Sequence, residues 1–328
     1  MTLDDAAWMR RALEVSRDAR WIAPPNPWVG CVIVDDDGVE VACGSSAEPG
    51  QAHAEVAALA VAGPTARGAT LFVTLEPCCH VGRTPPCTDA IIAAGVRRVV
   101  VAIEDPDSRV TGRGLAILRD AGVEVVLGPG DAEVRRDLAA YLVHRRTGRP
   151  MVIVKIAATL DGRVAMADGS SKWITGPAAR ADAHRMRADS QAIIVGAGTV
   201  RRDNPALTAR VDGRTMEPLR VVLGRAAPGA RVHPCWERHG ELTTVLDELG
   251  AAGVLQVLVE GGPATASQFI EGALAHRVVL YLAPALAGAD GGLGALSGLR
   301  TESMDGLRRG RILAVQQIGE DVRVDLEV

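Results

Sequence analysis

Four residues in the first third of the chain have the types and spacing of a metal-dependent hydrolytic site. His53 and Glu55 lie two residues apart, and Cys78 is followed nine residues later by Cys87. One imidazole and two thiolates suit Zn²⁺, and three such ligands leave a coordination position open for water. Glu55 is close enough to the ligand His53 to move the protons of that water. We therefore predict a zinc site with ligands His53, Cys78 and Cys87, and Glu55 as the catalytic acid–base.

The order of these residues is typical of zinc-dependent deaminases, in which His-x-Glu is followed by Pro-Cys and a further cysteine. We expect His53 and Cys78 each to begin a helix, whose N-terminus favours the thiolate form of cysteine. The alternative is a structural zinc site closed by Cys79 or His80, which would leave Glu55 without a role.

The loop between the two cysteine ligands is longer than in most deaminases. Eight residues separate Cys78 from Cys87, whereas nucleobase deaminases usually have two. The insert contains a glycine, two prolines and Arg83. Arg83 could bind the phosphate group of a substrate, or it could be a solvent-facing residue of a turn.

The second half of the chain carries weaker signals. The segment 260–263, Glu-Gly-Gly-Pro, follows a predicted strand and begins a helix. Such glycines permit close approach of a pyrophosphate to the helix N-terminus, although a plain strand–helix turn has the same pattern. The chain has 36 basic residues, and only Lys155 and Lys172 are lysines. These two lysines could occupy positions that require a compact ammonium group.

Composition argues against several classes of protein. The net charge is −4 and only 3% of the residues are aromatic, which disfavours nucleic-acid binding. The longest uncharged apolar stretch, 278–289, is too short to span a bilayer. Residues 1–20 lack the apolar core of a signal peptide, so we expect a cytoplasmic protein. Three of six cysteines lie within ten residues, which favours metal binding over disulfides.

Apolar periodicity predicts alternating strands and helices, and therefore two different α/β domains. The polar segment 144–150 contains Gly and Pro and is interpreted as the hinge between domains 1–148 and 149–328. The predicted helices cover 3–20, 53–62, 88–94, 113–121, 177–189, 241–250 and 264–272. The predicted strands cover 29–35, 39–44, 69–75, 98–103, 123–127, 151–157, 192–196, 219–223, 254–259, 276–283, 311–319 and 321–327.

Several longer motifs resemble the bacterial bifunctional riboflavin-biosynthesis deaminase–reductase family. In the first half they are PNPWVGC at 25–31, HAEV at 53–56, EPCCHVGRTPPC at 76–87, DP at 105–106 and GRG at 112–114. In the second half they are KIAATLDG at 155–162, SKWIT at 171–175, RADS at 187–190, GTV at 198–200, DNPALT at 203–208 and EGG at 260–262.

This resemblance implies a cytidine-deaminase-like three-layer α/β/α domain followed by a dihydrofolate-reductase-like α/β domain. It implies zinc-dependent deamination of a diaminopyrimidinone that carries a ribosylamino 5′-phosphate. The second domain would then use NADPH to reduce the ribosyl group to ribityl. The implied partners are small phosphorylated pyrimidines and further copies of the same chain.

The resemblance also implies roles for individual residues. Asn26 would contact the substrate of the deaminase. The NADPH site would be lined by Ala157, Trp173, Thr199, Asp203 and Gly262. The substrate of the reductase would be held by Lys155, Ser171, Arg187, Leu207, Arg210 and Glu260. Lys155 would supply either electrostatic support or a proton.

Two departures from the family pattern lie where the adenosine end of the cofactor is expected. Gly224-Arg225 replaces a common Asp-Ser, and the segment 231–254 is short enough to lack a strand. We expect Arg225 to pair with the 2′-phosphate of NADPH. A deaminase of another base or nucleotide with an inactive second half is one alternative. A zinc-stabilised binding module without turnover is another.

Overall fold

The computed structural model describes residues 4–288, 292–298 and 301–328. Backbone contacts divide the chain into two compact units, Met1–Gly148 and Arg149–Val328. Each unit combines helices with a mainly parallel or mixed sheet, as the alternation of patterns predicts. None of the helices in the described ranges has the length and apolar character needed to cross a bilayer.

The first unit is a mixed sheet with helices on both faces. Its helices are α1 (Asp5–Ser16), α2 (Ala54–Ala62), α3 (Cys87–Ala94), α4 (Arg113–Asp120), α5 (Asp131–Asp137) and α6 (Ala139–Thr147). Its strands are β1 (Gly30–Val34), β2 (Glu40–Ser45), β3 (Thr70–Leu75), β4 (Arg98–Ile103) and β5 (Glu124–Leu127). The predicted helix over 3–20 is shorter in the structure, because Asp4 caps the start of α1 and a 3₁₀ turn at Arg17–Ala19 follows its end; position 3 lies outside the described residues.

The strand order of this sheet is β2-β1-β3-β4-β5, with β1 antiparallel to both neighbours and the last three strands parallel. Helix α1 approaches the sheet at Gly30, and α2 approaches it at Gly44. Gly44 pairs with Cys31, the residue after Gly30. Because consecutive strand residues face opposite sides, α1 and α2 cover opposite faces, which confirms the three-layer arrangement.

The predicted polar hinge at 144–150 is wrong for most of its length. Helix α6 continues to Thr147, and Gly148 ends it with a left-handed φ of 74°. Its last turn contains His144, Arg145 and Arg146, and cations at this position interact favourably with the helix dipole. The basic cluster that resembled a linker therefore stabilises the end of a helix.

The second unit is built on a larger sheet. Its helices are α7 (Pro177–Ala188), α8 (Ala197–Asp203), α9 (Leu242–Ala251) and α10 (Pro263–Glu271). Its first strands are β6 (Met151–Thr159), β7 (Arg163–Met166), β8 (Ala192–Gly196), β9 (Ala209–Val211), β10 (Arg214–Met216) and β11 (Leu219–Leu223). The others are β12 (Trp236–Arg238), β13 (Gln256–Val259), β14 (Arg277–Ala283), β15 (Gly292–Gly294), β16 (Arg311–Ile318) and β17 (Asp321–Glu327).

Among the described residues of this unit, eight strands form one sheet in the order β12-β11-β8-β13-β6-β14-β17-β16. The strands from β12 to β14 are parallel, and β17 and β16 are antiparallel. Buried parallel strands read as continuous apolar runs, and β13 is buried at each of its positions. Phe269 of α10 is buried in the same core.

The expectation that the segment 231–254 lacks a strand is wrong. Residues Trp236–Arg238 form β12, which pairs in parallel with β11 at the edge of the sheet. Trp236 packs against the core while Glu237 and Arg238 are partly exposed. A strand of three residues with two charged side chains has little apolar periodicity, so the sequence pattern did not reveal it.

Candidate functional site

The predicted zinc ligands converge in the first unit. His53 Nδ1 lies 3.5 Å from Cys78 Sγ and 3.3 Å from Cys87 Sγ. His53 immediately precedes α2, as predicted, but Cys78 does not begin a helix: it lies in the loop after β3, and α3 begins at Cys87. The backbone N–H of Cys87 donates to Cys78 Sγ at 3.3 Å. The N-terminus of α3 thus stabilises the Cys78 thiolate from across the site.

The three side chains fit a zinc ion. Tetrahedral bonds of zinc to nitrogen and sulfur hold these atoms about 3.6 Å apart, close to the distances in the structure. Thr84 Oγ1 lies 3.4 Å from His53 Nε2 and orients the ring from its other side. Within the described residues, no fourth His, Cys, Asp or Glu joins this cluster. Cys79 instead faces the carbonyl oxygen of Arg109, so the closed zinc site is not formed.

The cluster is electrostatically prepared for a cation. Hydrogen bonding with Cys87 and His53 lowers the pKa of Cys78 to about 4. The pKa of Cys87 is raised by its hydrogen bond with Cys78 and by burial, so the two thiols share one proton until a metal displaces it. Burial, and the charge of Cys78, raise the pKa of Glu55 to about 7. Its side chain is buried, as a proton carrier near neutral pH requires.

A cavity of about 400 Å³ opens beside these residues. The predicted residues that line it are Asn26, His53, Glu55, Cys78 and Arg83; Cys87 lies behind them and is buried. Further lining residues that sequence reasoning missed are Asp105, Asp107, Arg109, Tyr141 and Arg145. The Tyr141 hydroxyl donates to Asp105 at 3.0 Å, and Arg109 pairs with Asp107 at 2.6 Å. The motif at 105–106 was noted in the sequence. Nothing in the sequence indicated that Tyr141 and Arg145 of α6 would line this cavity.

Glu76 fixes the loop that carries Cys78, although the sequence suggested no role for it. Its carboxylate accepts hydrogen bonds from the backbone N–H groups of Asp105, Gly112, Gly114 and Leu115 at 2.9–3.3 Å. A Cβ at Gly114 would lie 2.3 Å from the carbonyl oxygen of Pro77. Glycine is therefore required for this close approach. The motif 76–87 thus combines ligand positions with the residue that anchors them.

A second cavity, of about 520 Å³, lies in the second unit. It brings together almost all of the predicted residues of the reductase half. The lining includes the predicted cofactor residues Ala157, Trp173, Thr199, Asp203 and Gly262. It also includes the predicted substrate residues Lys155, Ser171, Arg187, Leu207, Arg210 and Glu260. Lys172, the other lysine of the chain, lines the same cavity.

Three charged side chains meet in this cavity. Arg187 on α7 donates two hydrogen bonds to Glu260, one of them at 2.7 Å, and a third to the carbonyl oxygen of Thr208. Lys155 on β6 lies with its Nζ 5.7 Å from the ring centre of Tyr281. Burial lowers the pKa of Lys155, and the charge of Glu260 opposes this shift. Burial acts to raise the pKa of Glu260, but Arg187 and Lys155 outweigh it and the pKa is lowered.

The strand–helix junctions beside this cavity fit a dinucleotide cofactor. Helix α10 has no side-chain cap at its N-terminus, so its first N–H groups can bind an anionic group. A Cβ at Gly261 would lie 2.4 Å from Thr265 Cβ, so glycine is needed for the turn. Trp173 lines the cavity with 70% of its surface exposed, and Arg180 stacks on its ring at 4.6 Å.

Arg225 is a predicted cofactor residue that does not line the reductase cavity. It follows β11 and its side chain is exposed, and it is not among the residues that line the large cavity. The adjacent Gly224 approaches Ala197 at the start of α8. The role of Arg225 therefore stays a prediction.

Comparison with known families assigns each unit separately. The family described as the cytidine and deoxycytidylate deaminase zinc-binding region matches residues 2–103. The RibD C-terminal domain matches residues 150–324. These matches confirm the predicted deaminase-like and reductase fold classes. They also support zinc and NADPH as the cofactors.

Relatives match the whole chain. It is 38% identical to riboflavin biosynthesis protein RibD of Escherichia coli over 99% of both chains. It is 41% identical to RibD of Mycobacterium tuberculosis over 99% of this chain and 97% of that protein. The structure of RibD from Acinetobacter baumannii superposes with a TM-score of 0.92 at 38% identity, and each chain is covered to 98%. The Thermotoga maritima deaminase/reductase gives a TM-score of 0.91 at 33% identity over 98% of both chains. The chain belongs to the RibD family of riboflavin biosynthesis proteins, in which a zinc-dependent deaminase domain precedes a reductase domain.

Proposed function

We propose that this enzyme catalyses two consecutive steps of riboflavin biosynthesis. It deaminates 2,5-diamino-6-(5-phosphoribosylamino)pyrimidin-4-one and then reduces the ribosyl group of 5-amino-6-(5-phosphoribosylamino)uracil to ribityl. The Thermotoga maritima relative is named for both activities. The observation that carries the proposal is the convergence of His53, Cys78 and Cys87 beside the buried Glu55. The inactive-reductase alternative is not favoured, because the second cavity gathers nearly its full set of expected residues.

In the deaminase unit, we assign His53, Cys78 and Cys87 as the zinc ligands. Zinc held there supplies the Lewis acidity that makes a water nucleophilic at neutral pH. Glu55 carries the two protons of the attacking water, one to the ring nitrogen and one to the departing amino nitrogen. The water oxygen forms a bond to the ring carbon, the bond between that carbon and the amino nitrogen breaks, and ammonia leaves.

The remaining predicted residues of this cavity bind the substrate. Asn26 lies between two prolines and lines the cavity, so its amide is held with little loss of conformational freedom. Arg83 lines the same cavity, and no ion pair to it is found among the described residues. Its guanidinium is available for the 5′-phosphate. These two contacts orient the pyrimidine toward Glu55.

In the reductase unit, NADPH supplies a hydride for C1′ of the ribosyl group. The N-terminus of α10, Thr199 and Trp173 would hold the cofactor. Arg187 and Arg210 bind the phosphate of the substrate, while Glu260 holds Arg187 in place. The net reaction consumes one proton, and Lys155, which lines the cavity and has a pKa lowered by burial, is the residue that we assign to supply it.

We further propose that the enzyme works in the cytoplasm as a homo-oligomer. All six cysteines are free thiols, which suits a reducing compartment. Strand β16 lies at the edge of the large sheet, and its Ile312 and Val315 are each 61% exposed. An edge strand with exposed apolar residues is suited to contact a second copy. Sedimentation of the purified protein would test whether it is a homo-oligomer.

The two activities are best tested separately in the same preparation. Zinc-loaded protein is incubated with the diaminopyrimidinone ribosyl phosphate, and ammonia release and NADPH absorbance are followed. The proposal requires ammonia first and NADPH oxidation second in the wild type, and neither in Glu55→Gln. Ammonia without NADPH oxidation would leave a deaminase only. No ammonia from the wild type would contradict the substrate assignment.

A further inference from the structure

A second group of metal-ligating side chains lies in the reductase unit, and none of its members lines the reductase cavity. The ligand atoms of His233, Cys235 and Glu237 all lie within 4.8 Å of one another. The three residues alternate along the chain: His233 and Cys235 precede the edge strand β12, and Glu237 lies in it. Trp236 packs against the core, and Glu237, the next residue of β12, faces the opposite side. None of the assigned catalytic roles uses these residues.

Hydrogen bonds hold two of these side chains in the orientation that metal binding requires. His233 Nε2 lies 3.1 Å from the carbonyl oxygen of Ala227. A carbonyl can only accept, so Nε2 carries the proton. Nδ1 therefore presents its lone pair toward Cys235 Sγ, 3.5 Å away. Glu237 Oε1 accepts from the backbone N–H of Ala226 at 2.9 Å, which leaves the other carboxylate oxygen for a ligand.

This arrangement repeats that of the deaminase cluster. In both, a histidine directs Nδ1 at cysteine sulfur while Nε2 contacts a second group, and the Nδ1–Sγ distance is 3.5 Å in each. Such contacts to the other ring nitrogen are typical of metal-binding histidines. A neutral imidazole, a thiolate and a carboxylate carry two negative charges, which balance a divalent ion. Nitrogen, sulfur and oxygen donors together favour Zn²⁺ over Mg²⁺ or Ca²⁺.

We infer that His233, Cys235 and Glu237 bind a second zinc ion, which clips the loop 224–235 onto strand β12. The loop is also held by backbone hydrogen bonds: the Gly224 N–H donates to the carbonyl oxygen of Arg238 at 2.8 Å, and the Arg231 N–H donates to Asn204 Oδ1 at 2.7 Å. Arg231 and Asn204 both line the large cavity. The metal therefore acts as a structural clip that fixes the loop at the rim of the reductase site.

Zinc content tests the site directly. Protein loaded with zinc and freed of excess metal by gel filtration is expected to hold two zinc ions per chain, and Cys235→Ser only one. Cys43→Ser is the matched control, because Cys43 is partly buried and outside both clusters; it should retain two. If Cys235→Ser does not fold, the exposed His233→Gln must show the same loss. A wild type with one zinc, or an unchanged content in both variants, would overturn the proposal.

Limited trypsin digestion tests the structural effect of the same ion. Arg225 and Arg231 are exposed in the loop, and Arg309 lies in a separate exposed segment. In zinc-loaded wild type, cleavage after Arg225 and Arg231 should be several-fold slower than in Cys235→Ser, while cleavage after Arg309 should be equal. Equal loop cleavage in the two proteins would contradict a clip even if a second ion binds.

Discussion

The deaminase and reductase cavities differ in how the chain assembles them. The metal cluster comes from His53, Cys78 and Cys87, which lie within residues 53–87 at the start of α2, after β3 and at the start of α3. The reductase cavity takes Lys155 from β6, Arg187 from α7 and Glu260 from the end of β13, so its residues are spread over a hundred positions. Site residues that lie in a short motif can be predicted from their spacing. Site residues that are spread over several strands can be brought together only once the fold is known.

The two sites also differ in the charge of their side chains. The metal cluster gathers two cysteines and Glu55, whose negative charges suit a cation. The reductase cavity has an excess of basic side chains over the acids Asp203 and Glu260. Its basic residues are Lys155, Lys172, Arg180, Arg187, Arg202, Arg210 and Arg231. This cavity is completed by anions, which agrees with a phosphorylated substrate and a dinucleotide.

The largest effect is expected from Glu55→Gln, which should impair deamination and leave reduction unchanged. Glu55→Gln keeps the size of the side chain but removes its ability to accept a proton. Deamination should fall by about 10²–10⁴-fold, while reduction of the already deaminated substrate should not change. Ammonia release and NADPH oxidation are measured with the two substrates separately. Zinc content must equal that of the wild type, and near-normal ammonia release would exclude Glu55 as the proton carrier.

The opposite result, loss of reduction with deamination retained, is expected when the Arg187–Glu260 pair of the second unit is broken. Arg187→Met removes the cation that is hydrogen-bonded to Glu260 and leaves only Lys155 to act on this carboxylate; breaking such a pair costs up to about 3–5 kcal/mol. NADPH oxidation should be lost and the second unit should unfold at lower temperature, whereas ammonia release should persist. Arg185→Met is the control, since Arg185 lies exposed on the same helix. Equal losses of both activities would mean that the two sites are not independent.

Much of the fold was predictable because its signals are local. Apolar runs gave the buried strands of both units, and His-x-Glu with the two cysteines gave the zinc cluster. Prediction failed where tertiary contacts override local pattern. Cys78 was expected to begin a helix, but the eight-residue insert moves the helix start to Cys87. The basic end of α6 resembled a linker, and the short strand β12 had too few apolar residues to be seen.

The reductase site was predictable only through family resemblance. Leu207 has a left-handed φ of 53° and lines the cavity, a conformation that no spacing rule anticipates. The order of eight strands in one sheet brings β6 beside β13 and β14, and parallel neighbours that are distant in sequence leave no local signal. Glu76 was missed for a related reason, because its four partners belong to a separate segment.

A smaller effect is expected at the anchor of the metal loop. Glu76→Gln removes the negative charge and one acceptor oxygen, which leaves backbone N–H groups of the segment 105–115 unsatisfied. The free energy of unfolding of the first unit should decrease by about 1–3 kcal/mol, and deamination should weaken while reduction persists. Thermal denaturation measures the first effect. Glu104→Gln, at an exposed position beside the same segment, should match the wild type; no difference between the two variants would remove Glu76 as an anchor.

The smallest effect is expected at Arg225, which does not line the reductase cavity. Arg225 is exposed beyond β11, so an ion pair with the 2′-phosphate of NADPH would be largely solvated and worth about 1 kcal/mol or less. Arg225→Ala should reduce the preference for NADPH over NADH by up to about fivefold, and should leave kcat with saturating NADPH unchanged. Steady-state kinetics with both cofactors measure the ratio. Arg214→Ala, another exposed arginine of this unit, is the control; an unchanged preference in Arg225→Ala would assign the 2′-phosphate to other cations of the cavity, such as Arg202 or Arg231.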